Sequence, residues 1–273
     1  MCFRVSFFLF MILIKYKPVT NGIRHQVNIK KSLLSKTNCL FKQAIVGLKQ
    51  SGGRSSSNGR TTVWHKGRAC KSNFRKIKFT SESFNSIVVC VMYDPNRNAF
   101  VSLNFDLDKF SFFLTLATNF IYSGSLISCT SQKTEFSLGN RTLIDNIPAG
   151  SIVHSLTSSS NKNKTIFSRS AGTYCQLIQK GLKECKVRLP SGSIITTPFD
   201  SYATLGVISN VNQKFTVLGK AGRNRLKGIR PTTRGVAMNP VDHPHGGRTN
   251  GGRPSVTPWG ISTKGKPTVK NKK

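Results

Sequence analysis

From Gly235 to Trp259 the chain reads GVAMNPVDHPHGGRTNGGRPSVTPW, a run of prolines, glycines, cations and two near-adjacent histidines without a hydrophobic period. Proline fixes φ and removes a backbone donor, whereas glycine admits positive φ and close backbone approach. Such a segment has no apolar face to bury, so something other than its own core must hold it. Charge indicates what that is. Lys and Arg number 42 against 9 Asp and Glu, a formal net charge of +33 over 273 residues. Self-repulsion of that size opposes compaction unless a polyanion neutralises it, and nucleic acid is the leading candidate.

The length suits two small compact units plus extensions, and 37% hydrophobic residues support modest cores only. The seven cysteines are scattered and form no C-x-x-C pair. Neither a disulfide framework nor a zinc knuckle is indicated, and buried reduced thiols are expected. An apolar decade, Val5 to Ile14, precedes Lys15 and Lys17. It is shorter than the roughly 20 residues a membrane-spanning helix needs, and no small-residue cleavage site follows it. No membrane partner is expected, although an adaptor attached through this decade remains a rival reading. Heavy use of Phe, Asn, Lys, Ser and Ile is similar to the output of an AT-rich organellar genome.

Residues 1–60 are expected to form a basic N-terminal extension, ending in the polar run QSGGRSSSNGR from Gln50 to Arg60. Within it, Ser32 to Leu48 is the one stretch whose apolar positions partly fit a short amphipathic helix. From Thr61 the texture turns β-branched and aromatic, in Thr61 to His65, Phe74 to Phe79, Ile87 to Tyr93, Ala99 to Phe105 and Phe110 to Leu116. Short runs at this spacing predict a small barrel over 61–122, with Asp94 to Asn98 (DPNRN) turning a hairpin. A second set, Ser151 to Leu156, Ile166 to Arg169, Tyr174 to Lys180, Lys186 to Leu189, Ser193 to Thr197 and Thr204 to Ile208, predicts another antiparallel barrel over 123–209. Pro190-Ser191-Gly192 supplies a tight turn in it. Beyond residue 210 the β texture fades into a basic tail, 210–273, which carries Lys220, Arg223, Arg225, Arg230, Arg234, Arg248 and Arg253 against one carboxylate, Asp242.

The string LGKAGRNRLKGIRPTTRGVAMNPVDHPHGG (Leu218 to Gly247), followed by GGRPSVTPWG (Gly251 to Gly260), resembles the family of large ribosomal subunit protein 2. Further pieces agree in order: KYKPVT at Lys15, SGGRSSSNGRTTVWHKG at Ser51, YDPNRNAFVSL at Tyr93, NIPAGSIVH at Asn146, SRSAGTYCQL at Ser168 and VRLPSGSI at Val187. The resemblance implies a mainly β chain: an OB-like barrel, then an SH3-like barrel, with extended basic N- and C-terminal segments. It implies a structural, non-enzymatic constituent of the large ribosomal subunit that binds large-subunit rRNA and supports subunit association and the peptidyl transferase region. Partners would be the rRNA, neighbouring ribosomal proteins and the small subunit across the intersubunit interface. No cofactor is implied.

Carried over residue by residue, the family's sensitive histidine falls on His243 and its rRNA-contacting loop on Arg169 to Gly172. Arg54, Arg60, His65, Lys66 and Arg68 match its basic arm, and Asn239, Asp242, His245 and Trp259 lie in the long C-terminal match. The chain departs from the pattern at His65 to Lys71 (HKGRACK), where a glycine triplet and second histidine are usual. It departs again after His245, where two glycines precede Arg248-Thr249-Asn250. A mitochondrial ribosome is the expected home, with the plastid as alternative.

The residues themselves fit RNA. Arg and Lys neutralise phosphates, glycines admit backbone amides to phosphate oxygens, and Trp259, His243 or His245 can stack on an unpaired base. Trp259 can instead pack on Pro258. Asp242 can orient His243, accept from a 2′-hydroxyl, or serve a turn beside Pro240 and Pro244. A metal-dependent nuclease built on His243, His245 and Asp242 is the rival of a different class. It requires three or more converging ligands, whereas His25, His65 and His154 are distant in sequence and the carboxylates dispersed, so no metal is expected. Gly219-Lys220 lacks the context of a phosphate-binding P-loop.

Overall fold

A computed structural model describes residues 13–31, 34–35, 45–48, 52–67, 69–79, 82–132, 135–158, 161–248 and 253–265. The apolar decade therefore lies outside the described residues, apart from its last two members. Leu13 and Ile14 begin β1 (Leu13–Lys15), which pairs antiparallel with β2 (Val27–Ile29). Among the described residues no helix is long and apolar enough to cross a membrane.

The helix expected over Ser32 to Leu48 is not formed where the chain is described. Ser35 bridges Met92, and β3 (Ile45–Leu48) pairs with β4 (Ser72–Arg75). The β-branched Ile45 and Val46 favour a strand once a partner is offered, and tertiary pairing overrides a partial helical period. Residues 36–44 lie outside the described set.

Alternation sets the first barrel. In β5 (Phe84–Met92), Phe84, Ser86, Val88, Cys90 and Met92 are buried and the intervening residues are not, as period two requires. β6 (Val101–Asp106) and β7 (Ser111–Leu116) follow as a meander, and β8 (Leu126–Thr130) pairs with the other edge of β5. Its two larger apolar clusters are these. Cys90, Met92, Val101, Leu103 and Leu114 form one, and Phe84, Val88, Phe113, Ile127 and Cys129 form the other with Tyr202. Burying each large side chain contributes about 1.5–3 kcal/mol. The DPNRN turn is fixed from inside: fully buried Asp94 accepts from the Asn96 N–H at 2.9 Å and pairs with Arg97 at 2.7 Å and Arg75 at 3.6 Å. Thr61 to His65, by contrast, forms no strand; Thr61 bridges Arg54, and Trp64 and His65 lie in a turn.

β9 (Arg141–Leu143) runs parallel to β8 and carries the sheet into the second barrel. There β10 (Ile152–His154), β11 (Leu156–Ser158), β12 (Asn161–Phe167), β13 (Cys175–Lys180), β14 (Glu184–Arg188), β15 (Ile194–Pro198) and β16 (Tyr202–Leu205) follow in chain order. Ten strands share one sheet, in the order β15-β14-β13-β10-β16-β9-β8-β5-β6-β7. Ile144, Ile147, Val153, Leu156, Cys175, Leu177, Cys185, Val187, Ala203 and Leu205 fill the second core. The β14–β15 hairpin closes through Gly192 at φ 89°, a conformation glycine adopts without strain. The architecture is mainly β, an OB-like barrel followed by an SH3-like barrel. Cys90, Cys129, Cys175 and Cys185 are buried free thiols, and burial pushes Cys129 and Cys175 up to about 11, out of the reactive range.

The chain divides into two compact units. One comprises residues 1–50 and 70–223 and holds both barrels; the other joins 51–69 to 224–273. The helix α1 (Ala221–Leu226) interrupts the tail. Its C-terminus is closed by Gly228 at φ 85°, whose N–H donates to the Arg225 carbonyl at 2.9 Å while the Ile229 N–H donates to Asn224 at 2.9 Å. That pair of bonds is a Schellman motif, and only glycine sits there cheaply.

Candidate nucleic-acid interface

The second unit is built from two segments that the sequence holds some 150 residues apart. Its first segment is a folded loop rather than a flexible linker. The Ser55 N–H donates to the Arg60 carbonyl at 2.8 Å, and the Thr62 and Val63 N–H groups both donate to Gly53. Gly53 has φ 77°, and a Cβ there would meet the Val63 carbonyl oxygen at 2.4 Å. Backbone bonds then join the two segments. Gly67 N–H donates to Gly228 at 2.8 Å, Arg230 N–H donates to His65 at 2.8 Å, and Lys66 bridges Ile229.

This construction gathers Arg54, Arg60, His65 and Lys66 into one body with Arg225, Arg230, Arg234, Asn239, Asp242, Arg248 and Arg253, all exposed. Arg68 lies outside the described residues. Counting the whole of both segments, fifteen Lys and Arg stand against the single carboxylate Asp242. Asp242 forms no ion pair among the described residues; its N–H closes a turn on the Asn239 carbonyl at 3.0 Å.

His243 is buried at 8% exposure. Its Nδ1 accepts from the His245 N–H at 3.0 Å, which places the ring proton of the neutral form on Nε2. The two imidazoles lie 4.7 Å apart at 46°. Gly235 lies against the His243 ring, and a Cβ there would come within 2.6 Å of it. His245 Nε2 lies 2.8 Å from the Pro254 carbonyl. Arg253 Nη1 donates to the carbonyls of Pro244, at 2.6 Å, and Gly246, at 3.1 Å. Both histidines are thus occupied in holding the turn. No group of three or more potential metal ligands occurs among the described residues.

Trp259 packs on Trp64, with ring centroids 5.4 Å apart at 57°. Both rings remain more than half exposed, at 67% and 58%, which leaves aromatic surface free to stack. Trp64 is the candidate residue that sequence reasoning passed over. Its signal is an aromatic inside a Gly/Arg-rich run, two residues before Lys66.

Three sequence-predicted residues belong to the barrel-bearing unit instead: Arg169, Lys220 and Arg223. Arg223 is half-buried, and its guanidinium donates to the Leu218 carbonyl and to Gln26 Oε1. Lys220 is exposed. So is Arg169, held on a loop whose shape is fixed by Gly172 at φ 68°, where a Cβ would meet Val211 Cα at 2.9 Å. The Thr173 hydroxyl closes that loop by donating to the Ser170 carbonyl at 2.7 Å.

Two family profiles match this chain: the RNA binding N-terminal domain of Ribosomal Proteins L2 over residues 41–129, and the L2 C-terminal domain over residues 137–260. The chain belongs to the ribosomal protein L2 family. Large ribosomal subunit protein uL2m of Reclinomonas americana is 43% identical over 269 residues, covering 96% of this chain and 95% of the relative. Large ribosomal subunit protein uL2 of Orientia tsutsugamushi (strain Ikeda) is 42% identical over 268 residues, and that of Rickettsia prowazekii (strain Madrid E) 42% over 269, each covering 96% of both chains. The L2 family matches span both barrels and nearly the whole of the second unit.

Proposed function

We propose that this chain is a structural constituent of the large ribosomal subunit that anchors large-subunit rRNA through its convergent basic unit. One observation carries the reading: the described residues of 51–69 and 224–273 fold together, in segments whose sequence holds fifteen cations against one carboxylate. Exposed guanidiniums on a rigid backbone present phosphate donors without the entropy cost of ordering a free tail. In this reading Arg54, Arg60, Lys66, Arg68, Arg225, Arg230, Arg234 and Arg248 neutralise phosphates, with Arg169 and Lys220 doing so from the other unit. Trp259 stacks on a base. His65, Asn239 and His245 complete the contact surface, while Asp242, His243, Arg223 and Arg253 shape the backbone that makes it. Residues 1–60 act as a basic extension, 61–122 as the OB-like rRNA-binding part, 123–209 as the SH3-like part and 210–273 as the basic tail. The chain works beside neighbouring ribosomal proteins, near the peptidyl transferase region and the small-subunit interface, and is not an enzyme.

The likeness to a uL2m chain and the Phe- and Asn-rich composition support a mitochondrial ribosome over a plastid one. The test is rRNA binding against salt. Binding should weaken steeply as salt rises, because each neutralised phosphate releases counterion. Affinity independent of salt, or turnover of free RNA with added divalent metal that His243→Ala abolishes, would overturn the anchoring role.

A further inference from the structure

Within the barrel-bearing unit, Arg141 occupies a position that calls for a negative charge the protein does not provide. It lies on β9 at 7% exposure. One nitrogen, Nη1, donates to the Ser155 carbonyl at 3.2 Å and to Thr204 Oγ1 at 3.3 Å. The Nε and Nη2 groups have no acceptor among the described residues. All nine carboxylates of the chain are described, and none pairs with Arg141. Burial pushes its pKa down to about 10, with Cys129 and Tyr202 opposing that shift, so the guanidinium stays charged at neutral pH. A buried, unneutralised cation is strongly unfavourable.

Arg141 also lines a cavity of about 40 Å³, together with Lys78, Phe113, Ile127, His154 and Thr204. That is room for a few water-sized groups. Lys78 adds a second cation at the cavity. His154 is fully occupied, with Nε2 against Thr118 Oγ1 at 2.8 Å and Nδ1 against Ser155 Oγ at 3.0 Å. Two cationic residues therefore line the cavity: Lys78, whose Nζ lies 3.6 Å from Glu82, and Arg141, which has no carboxylate partner.

We propose that Arg141 and Lys78 bind a small inorganic anion, phosphate or halide, in this cavity, where it neutralises the buried guanidinium. The site is distinct from the convergent basic unit, because its residues belong to the barrel-bearing unit and its ligand is a free ion. The first arm of the test is thermal melting of the purified full chain without RNA, in inorganic phosphate against methanesulfonate at matched ionic strength. The unmodified chain should gain about 3 °C more from phosphate than Arg141→Met does. Ionic strength acts on the remaining surface charge of both proteins alike, so that difference isolates the site. The second arm is crystals of the unmodified chain soaked in bromide, which need no variant to fold. An anomalous peak within hydrogen-bonding distance of Arg141 Nε or Nη2 is expected. Equal phosphate stabilisation of both proteins, or no bromide peak at the guanidinium, overturns the proposal.

Discussion

Acidifying the chain from pH 7 to pH 5 should destabilise the barrel-bearing unit through one residue, His154. That imidazole is 1% exposed, and burial, with the Arg141 charge adding to it, pushes its pKa down to about 3 from an ordinary 6.5. Below pH 6.5 the unfolded chain takes up a proton that the folded chain refuses, so protons favour unfolding. The contribution of the neutral ring is complete above pH 6.5 and is lost progressively as pH falls towards 3. Each unit in that window is worth about 1.36 kcal/mol, so pH 5 should cost about 2 kcal/mol, or a melting point lower by roughly 4–8 °C. All five tyrosines lie in this unit and both tryptophans in the other, so near-ultraviolet tyrosine dichroism during urea unfolding isolates the effect. His154→Gln keeps an amide for Thr118 and Ser155 but does not titrate. It should flatten the pH 5–7 profile, whereas the exposed His25 is common to both proteins. Equal acid losses in the two would refute the reasoning.

Other perturbations act on the basic unit. Gly235→Ala places a methyl within 2.6 Å of the His243 ring and should cost about 1–3 kcal/mol, read as earlier unfolding by tryptophan fluorescence; an unchanged midpoint would contradict the packing described. Removing two exposed cations in Arg230→Gln/Arg234→Gln should lower the salt slope of rRNA binding by about 2 and weaken binding to all sequences alike. Trp64→Ala and Trp259→Ala should couple by about 0.5–1.5 kcal/mol in a double-mutant cycle of unfolding, and strict additivity would separate the two rings.

The barrels were legible because β5 and β14 alternate cleanly and because DPNRN and PSG are turn sequences whose chemistry is local. The helix expected near Leu48 failed for the opposite reason: Ile45 to Leu48 take their conformation from pairing with β4, a partner the local sequence does not announce. The candidate interface was readable as a set of cations but not as a body. Nothing in QSGGRSSSNGR indicates that its loop closes on itself, or that Gly67 and Arg230 bond across to the other segment. Single backbone bonds of high sequence separation leave no periodic trace. Arg223 and Arg253 show the same limit, since composition counts them as free cations while geometry ties them to carbonyls within the fold. The resemblance singles out His243 in the long C-terminal string, but only the structure shows it buried beneath Gly235.

The convergent segments 51–69 and 224–273 are proposed to form the principal rRNA-facing surface. The decisive measurement is ultraviolet crosslinking of intact large subunits that contain this chain, followed by peptide mass spectrometry. RNA adducts are expected on peptides from both segments, including those carrying Trp64 and Trp259. Adducts confined to the barrel-bearing unit, with both segments unmodified, would contradict it.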